Sequence, residues 1–232
     1  MRKVLLLVEG STEERFVKGV LGPAFEQLGL ALIPAIIRTK VVPGETPHKG
    51  GVGSYARFAR QARLLLRDRS AVCVSTLLDY YGLKDDFPGR KDPKGATAME
   101  RVKHVESAMQ HDISDGRYLP FLLLHEFEAL LLVNPGEIAR VIQLPQSETK
   151  LQEIRSAFPD SPEDIDDSPA TAPSKRIASV CGNAYRKAVH GPVIAARIGL
   201  EQIRKQCPHF NNWMTKLEAF AVVSLAAKLK PA

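Results

Sequence analysis

The chain has 232 residues, of which 44% are hydrophobic and 25% charged, an ordinary globular composition with enough length to bury a sizeable core. No apolar run approaches the ~20 residues of a membrane span, and Met1, Arg2 and Lys3 lead straight into a strand-like run, so we expect neither a transmembrane helix nor a cleavable signal. The formal net charge of +6 favours an anionic partner, nucleic acid above all.

The first predicted element is a buried parallel strand, because Val4 to Val8 is an unbroken apolar run. Glu9 follows where that run stops, and Gly10 allows a tight turn. Ser11, with Glu14 three positions later, is typical of a capping box that starts a helix. Ligands bind at the carboxyl ends of strands in open α/β sheets, so Glu9 is a candidate functional acid. The alternative is a solvated acid in a loop.

A helix is predicted from Thr12 to Leu28, interrupted around Gly22-Pro23. A second apolar run follows at 30–37, and Pro34 inside it favours an edge strand. The Gly- and Pro-rich segment 40–53 lacks the Gly-Lys-Ser/Thr ending of a Walker loop. Its Lys49 and neighbouring amides are a candidate phosphate contact, with a flexible hairpin as the alternative.

Two further strands are predicted, each after a helix and each ending on acids. Ala71 to Leu78 ends on Asp79, and Leu119 to Leu124 leads to Glu126 and Glu128. Strands alternating with helices predict a mostly parallel four-stranded sheet. In the order 2-1-3-4, the first and third strands are neighbours, which brings Glu9 and Asp79 to one crevice.

The helix predicted at 54–69 carries arginines at near-helical spacing. They form either a basic stripe or an ordinary solvated face. The residues are Arg57, Arg60, Arg63, Arg67 and Arg69.

We divide the chain into an α/β core, 1–135, and a helical extension, 136–232, packed on that core. Basic residues that follow an acidic, proline-rich connector at 159–173, namely Lys175, Arg176 and Lys187, are candidate nucleic-acid contacts, with ion pairing to the connector as the alternative. For Trp213 we expect packing of the last helix. Three scattered cysteines lack metal-ligand spacing, which indicates a reduced cytoplasm as the location. They are Cys73, Cys181 and Cys207.

Carboxylates gathered at one crevice create a negative potential that a hard divalent cation neutralises. We therefore predict a Mg²⁺ (or Mn²⁺) site made by Glu9, Asp79 and Glu126, which Glu13 joins through a water. Such an ion polarises a phosphoryl oxygen and activates water, which indicates a phosphodiester-cleaving or phosphoryl-transfer enzyme. Glu126 is preferred to Glu128 because it lies nearer the strand end. His125 is either a structural donor or a base.

The stretch Val8-Glu9-Gly10-Ser11-Thr12-Glu13-Glu14 resembles the first motif of Toprim domains, particularly those of overcoming-lysogenization-defect nucleases. With the motifs at 78–83, 125–131, 172–177 and 207–210, nearly the whole chain resembles an uncharacterised bacterial family of Toprim-like proteins. The resemblance implies a Toprim-like core and a Mg²⁺-dependent nuclease, with Glu9 as the first-motif acid and Asp79 as the first aspartate of the second motif. Toprim enzymes usually have Asp-x-Asp there, and this chain has Tyr81 in place of the second aspartate.

Two functions follow from these features. The first is a metal-dependent nuclease that acts on nucleic acid. The second is a non-catalytic subunit that works beside an ATPase in a defence or mobile-element system, since relatives of this kind often work with an ATPase and the chain has no Walker motif of its own. A nucleotide-binding enzyme is disfavoured, because the first turn lacks Gly-x-Gly-x-x-Gly and places an acid where a phosphate would bind.

Overall fold

The structure is a computed structural model that describes residues 1–37, 52–165 and 171–228. Its centre is a parallel sheet in the order β2-β1-β3-β4, in which the short β5 also pairs with β3. The predicted α/β class, parallel pairing and strand order are confirmed. The strands are β1 (Arg2–Val8), β2 (Leu30–Ile36), β3 (Ala71–Asp79), β4 (Tyr118–Leu119) and β5 (Leu122–Leu123).

The predicted fourth strand is present as two short pieces, β4 and β5, because Pro120 between them has no N–H to donate to the ladder. The Thr76 side chain of β3 bridges the gap. Its hydroxyl donates to the carbonyl of Phe121 and accepts from the N–H of Phe121, both at 2.7 Å. A buried hydroxyl therefore replaces the missing backbone bonds.

We expect Thr76→Val to lower the free energy of unfolding by about 1–2 kcal/mol, because a side chain of the same shape leaves the buried N–H and carbonyl of Phe121 unpaired. Urea unfolding measures the change. Thr149→Val, at an exposed helix position, is the control and should cost much less. Equal costs at the two positions would contradict the bridging role.

Helices cover both faces of the sheet. On one face α3 and α4 pack against the sheet, with Phe58 and Val105 in the shared core. On the other face the remaining helices share a core with β1, including Ile194 and Phe210. The helices are α1 (Ser11–Phe16), α2 (Gly22–Glu26), α3 (Tyr55–Leu65), α4 (Ala98–Ile113), α5 (Glu128–Leu131), α6 (Pro135–Val141), α7 (Glu148–Ser156), α8 (Pro173–Cys181), α9 (Lys187–Ile198), α10 (Leu200–Gln206) and α11 (Pro208–Lys228).

The first helix begins one residue earlier than the capping-box prediction requires. Gly10 is the N-cap, its carbonyl accepts from the N–H of Glu14, and the Glu13 carboxylate accepts from the N–H of Gly10 at 3.0 Å. The predicted cap of Ser11 with Glu14 is therefore wrong. The interruption predicted around Gly22-Pro23 lies just before these residues, in a π-helical segment, Val17–Leu21, which joins α1 to α2, and Gly22 and Pro23 themselves begin α2.

The described part of the helical extension packs directly on the sheet. Trp213 of α11 stacks on Phe121 with ring centroids 4.4 Å apart and donates from its indole Nε1 to the Ser75 hydroxyl at 2.9 Å. The packing role expected for Trp213 is confirmed. The division into domains at residue 135 stays a prediction. None of the helices in the described ranges is long and apolar enough to cross a membrane.

Candidate functional site

The first two predicted acids lie at the ends of neighbouring strands. Val8, the last residue of β1, pairs with Leu77 of β3, so Glu9 and Asp79 leave the sheet at the same edge. The Glu9 carboxylate reaches the turn that follows β3, where a Cβ built on Gly82 would lie 3.5 Å from Glu9 Oε2. A glycine at 82 therefore leaves room for the Glu9 side chain.

Asp79 is 7% exposed and ties three elements together. Its Oδ1 accepts a hydrogen bond from the N–H of Phe127 at 3.0 Å, at the start of α5. Its Oδ2 lies 3.2 Å from Nζ of Lys187, the first residue of α9. The carboxylate therefore joins the end of β3 to the chain after β5 and to the helical extension.

Lys187 forms a second ion pair, with Glu128. Its Nζ lies 3.1 Å from Glu128 Oε2, and the Tyr185 hydroxyl donates to Glu128 Oε1 at 3.1 Å. Glu128 is completely buried. One ammonium thus lies between two buried carboxylates, and we call Asp79, Glu128 and Lys187 the acidic cluster.

Glu126, the acid preferred in the sequence analysis, points elsewhere. Its Oε2 accepts from the N–H of Ser174 at 2.9 Å, at the start of α8. Glu126 and Glu128 therefore diverge, as expected for a strand-to-helix junction. Glu126 still lies near enough to Asp79 for its charge to contribute to the raised pKa of that carboxyl.

Glu13 approaches the cluster from the first helix. It is 3% exposed, and burial raises the pKa of its carboxyl, with the charge of Asp79 as the next cause. Its bond to the N–H of Gly10 holds the side chain over the turn that carries Glu9.

The cluster has more negative than positive charge. Burial, against the opposing charge of Lys187, raises the pKa of Asp79 and raises that of Glu128 to about 7. Burial lowers the pKa of Lys187, but Asp79, Glu128 and Glu13 outweigh it and hold that pKa above its ordinary value. The ammonium therefore stays charged, and one positive charge faces several carboxyls that gain from protonation or from a further cation.

The predicted phosphate contacts lie in different surroundings. Lys49 is outside the described residues. Lys175 is exposed on α8. Arg176 donates from Nε to the carbonyl of Thr171 at 2.7 Å, and its guanidinium lies over the Phe158 ring, 5.3 Å from the centroid. Their binding of nucleic acid stays a prediction.

His125 and Tyr81 lie beside the site and are joined by a backbone hydrogen bond. The N–H of Tyr81 donates to the carbonyl of His125 at 3.3 Å, and His125 is 2% exposed. A bond between the turn after β3 and the chain after β5 keeps these two strand ends together.

The donor set fits a hard divalent cation in kind. All candidate ligands are carboxylates, and the Lys187 ammonium already takes a cation's place between two of them. In the described ranges, no three or more His, Cys, Asp or Glu side chains stand close enough together to hold one ion. An ion at this edge therefore requires side chains such as Glu9 or Glu126 to turn toward Asp79.

Sequence reasoning named Glu128 only as the less favoured acid and Lys187 only as a basic residue after the connector. One local signal for Glu128 was present, since it is an ionisable residue inside the apolar run 127–133. No local signal joins Lys187 to Asp79, which is 108 positions away in the chain.

Fold and site together define a parallel α/β protein with buried acids at the carboxyl edge of its sheet. The chain belongs to the family DUF4276, a domain of unknown function, whose model matches residues 8–218. No curated protein matches it. Among solved structures it is similar to the C-terminal region of the Burkholderia pseudomallei OLD protein, with 14% sequence identity, a TM-score of 0.40, and coverage of 91% of this chain and 98% of that chain.

Proposed function

We propose that this chain is a Toprim-like, metal-dependent nuclease or related phosphoryl-transfer enzyme that acts on nucleic acid. The observation that carries the proposal is the gathering of buried carboxyls around the carboxyl end of β3, those of Asp79, Glu128 and Glu13, with the ammonium of Lys187 among them. Buried acids with raised pKa values beside a charged partner are typical of functional sites.

In this proposal Glu9, Asp79 and Glu126 hold Mg²⁺ or Mn²⁺, and Glu13 supports the ion through a water. When bound, the ion supplies a Lewis acid for a phosphoryl oxygen and an activated water. Lys187 opposes the effect of burial on the pKa values of Asp79 and Glu128 and so favours their charged forms, and Tyr185 orients the Glu128 carboxylate through its hydroxyl. The net charge of +6 favours a polyanionic substrate, with Lys49, Lys175 and Arg176 as phosphate contacts.

The test is cleavage of supercoiled plasmid DNA and of RNA in Mg²⁺ or Mn²⁺, with EDTA as the metal-free condition. We expect cleavage only with metal. Glu9→Gln should slow it about a hundredfold, since the substitution removes one charged ligand and keeps the shape of the side chain.

Glu14→Gln is the matched control, because Glu14 lies five positions from Glu9 on the first helix and pairs with Lys18 at 2.7 Å, away from the acidic cluster. It should cleave like the wild type. Cleavage that persists in EDTA, or that Glu9→Gln leaves unchanged, would contradict the proposal of a metal-dependent nuclease.

Tyr81 favours a second candidate, a non-catalytic binding subunit that partners an ATPase. Toprim enzymes usually have a second aspartate two residues after the first one of this motif, and Tyr81, which holds that position here, cannot replace it as a metal ligand. Calorimetric titration with Mn²⁺ separates the two candidates. Binding that Asp79→Asn abolishes supports the enzyme, whereas a wild-type chain that binds no Mn²⁺ supports the subunit.

A further inference from the structure

Helix α3 presents basic side chains to solvent. Its buried side, which includes Phe58 and Ala62, packs on the sheet. The outer side and the turn that follows carry exposed arginines at helical spacing, around Leu64, which is 59% exposed. We call this set the arginine stripe: Arg57, Arg60, Arg63, Arg67 and Arg69.

One arginine of the stripe has a structural role, because it bonds α3 to the end of α4. Arg63 donates from Nη2 to Asp112 Oδ2 at 2.8 Å and to the carbonyl of the same residue at 3.1 Å, near the end of α4. The neighbouring Arg117 is held in a similar way, with bonds to Asp115 and to the carbonyl of Leu66. These two guanidiniums fix the helix ends to each other.

The other four are exposed, and of these Arg69 lies near enough to Asp115 for its charge to help lower the pKa of that carboxyl. Arg57, Arg60, Arg67 and Arg69 form no ion pair with any residue in the described ranges. A helix face that served only solubility would be expected to mix both signs. Four guanidiniums on one face instead create a positive potential that attracts a polyanion.

The surface between these side chains is concave. A cavity of about 350 Å³ is lined by Arg60, Arg63, Leu64 and Arg67. A second, of about 420 Å³, lies between the ends of α3 and α4 and shares Arg63 and Arg67 with the first. The two cavities are therefore neighbours, and arginines outnumber the single acid, Asp115, among the residues that line them.

The stripe extends from the side of the sheet that carries the candidate active site to the opposite side. At the start of α3 the N–H of Tyr55 donates to Asp86 Oδ2 at 2.9 Å, in the segment that follows the carboxyl end of β3. The helix then crosses back and ends before Ala71, where β3 begins. From Arg57 to Arg67 the stripe is about 15 Å long at the helical rise per residue. A strand bound along it leads toward the edge that carries Glu9 and Asp79.

We propose that the arginine stripe binds the phosphate backbone of a nucleic-acid duplex, without reading its sequence. Guanidiniums match phosphate oxygens in geometry. A duplex presents a charge about every 1.7 Å, enough for each unpaired arginine over this length. Among the described residues of this face no aromatic ring is free to stack on single-stranded bases, because Phe58 is buried and the Tyr55 ring packs against Phe58 and Phe87.

The proposal deepens the proposed function by giving its substrate a docking path, and its test uses binding alone. Fluorescence anisotropy with a labelled duplex of about 20 base pairs, in EDTA, measures the affinity of the full chain across a salt series. We expect Arg57→Gln/Arg60→Gln/Arg67→Gln to weaken binding about a hundredfold and to reduce the slope of log affinity against log salt by about 2.7.

The matched control removes the same charge elsewhere. Lys150→Gln/Lys205→Gln/Lys216→Gln changes exposed lysines on α7, α10 and α11 and should leave affinity within a few-fold. Equal weakening by both triple variants, or no duplex binding by the wild type, overturns the proposal. So does a stripe variant that loses binding to phosphatidylserine vesicles and keeps the duplex.

The two proposals fail separately. Glu14→Gln should bind the duplex like the wild type, because Glu14 pairs with Lys18 and belongs neither to the stripe nor to the acidic cluster. If the wild type binds the duplex through the stripe and never cleaves it, duplex binding by the stripe is supported and the proposed nuclease activity is wrong. If the stripe variant cleaves nucleic acid as fast as the wild type, the proposed role of the stripe is wrong.

Discussion

Replacing Lys187 by methionine is expected to lower the free energy of unfolding by about 2–3 kcal/mol near pH 8. The change leaves two buried carboxylates without their counter-ion, and breaking a buried pair from one side typically costs 3–5 kcal/mol. We take a smaller value because the Lys187 side chain is 37% exposed, whereas that of Glu128 is fully buried. Urea unfolding of both proteins measures the difference.

The loss of stability caused by Lys187→Met should become smaller as the pH falls. The folded-state pKa of Glu128 is about 7, above its ordinary 4.5, so the folded protein binds a proton that the unfolded chain lacks between these values. Stability from this group therefore rises as pH falls through about 7 and is lost again as pH rises. Removing Lys187 raises the pKa further, so near pH 5 the variant folds with neutral carboxyls and loses less.

Lys205→Met, at an exposed position of α10, is the control and should change stability by less than about 0.5 kcal/mol. The double variant Lys187→Met/Glu128→Gln should recover part of the loss, because it removes the orphaned charge. A cost for Lys187→Met that is independent of pH would contradict a role in neutralising the acids.

The parts of the fold set by local sequence were predictable. β1 and β3 are mostly apolar runs, which a strand covered on both faces can bury, and the structure places them side by side. Pro34 correctly placed β2 at the edge, because a proline removes one ladder donor. Pro120 divides the fourth strand into β4 and β5 for the same reason, because a proline there cannot donate a hydrogen bond to the neighbouring strand.

The site was predictable only where it follows a strand. Glu9 and Asp79 each come directly after an apolar run, so their shared edge follows from strand order. Lys187 reaches Asp79 from the helical extension, and no periodicity encodes that contact. The cap of the first helix was missed by one residue because Gly10 has no side chain to mark it as a cap, and the signal came instead from its partner Glu13.

The strongest effect on activity is expected at Asp79. Asp79→Asn keeps an oxygen that accepts from the N–H of Phe127 and removes the charge that faces Lys187. We expect cleavage to fall about a thousandfold, since a metal ion's stabilisation of the transition state is worth several kcal/mol and depends on charged ligands. Single-turnover cleavage in Mg²⁺, with calorimetric Mn²⁺ titration of the same samples, measures the loss.

A neutral side chain at 79 should leave the fold intact, because burial already raises the pKa of Asp79 and the structure therefore gains little from its charge. The melting temperature separates lost chemistry from lost folding, and it should stay within a few degrees of the wild type. Asp68→Asn is the matched control, in the loop before the same strand, where the carboxylate pairs with Lys3 at 2.9 Å at the opposite edge of the sheet. Because Asp68 lies far from the acids, its variant should cleave normally. A folded Asp79→Asn that cleaves as fast as Asp68→Asn would mean that the buried charge at the end of β3 serves the structure and not the reaction.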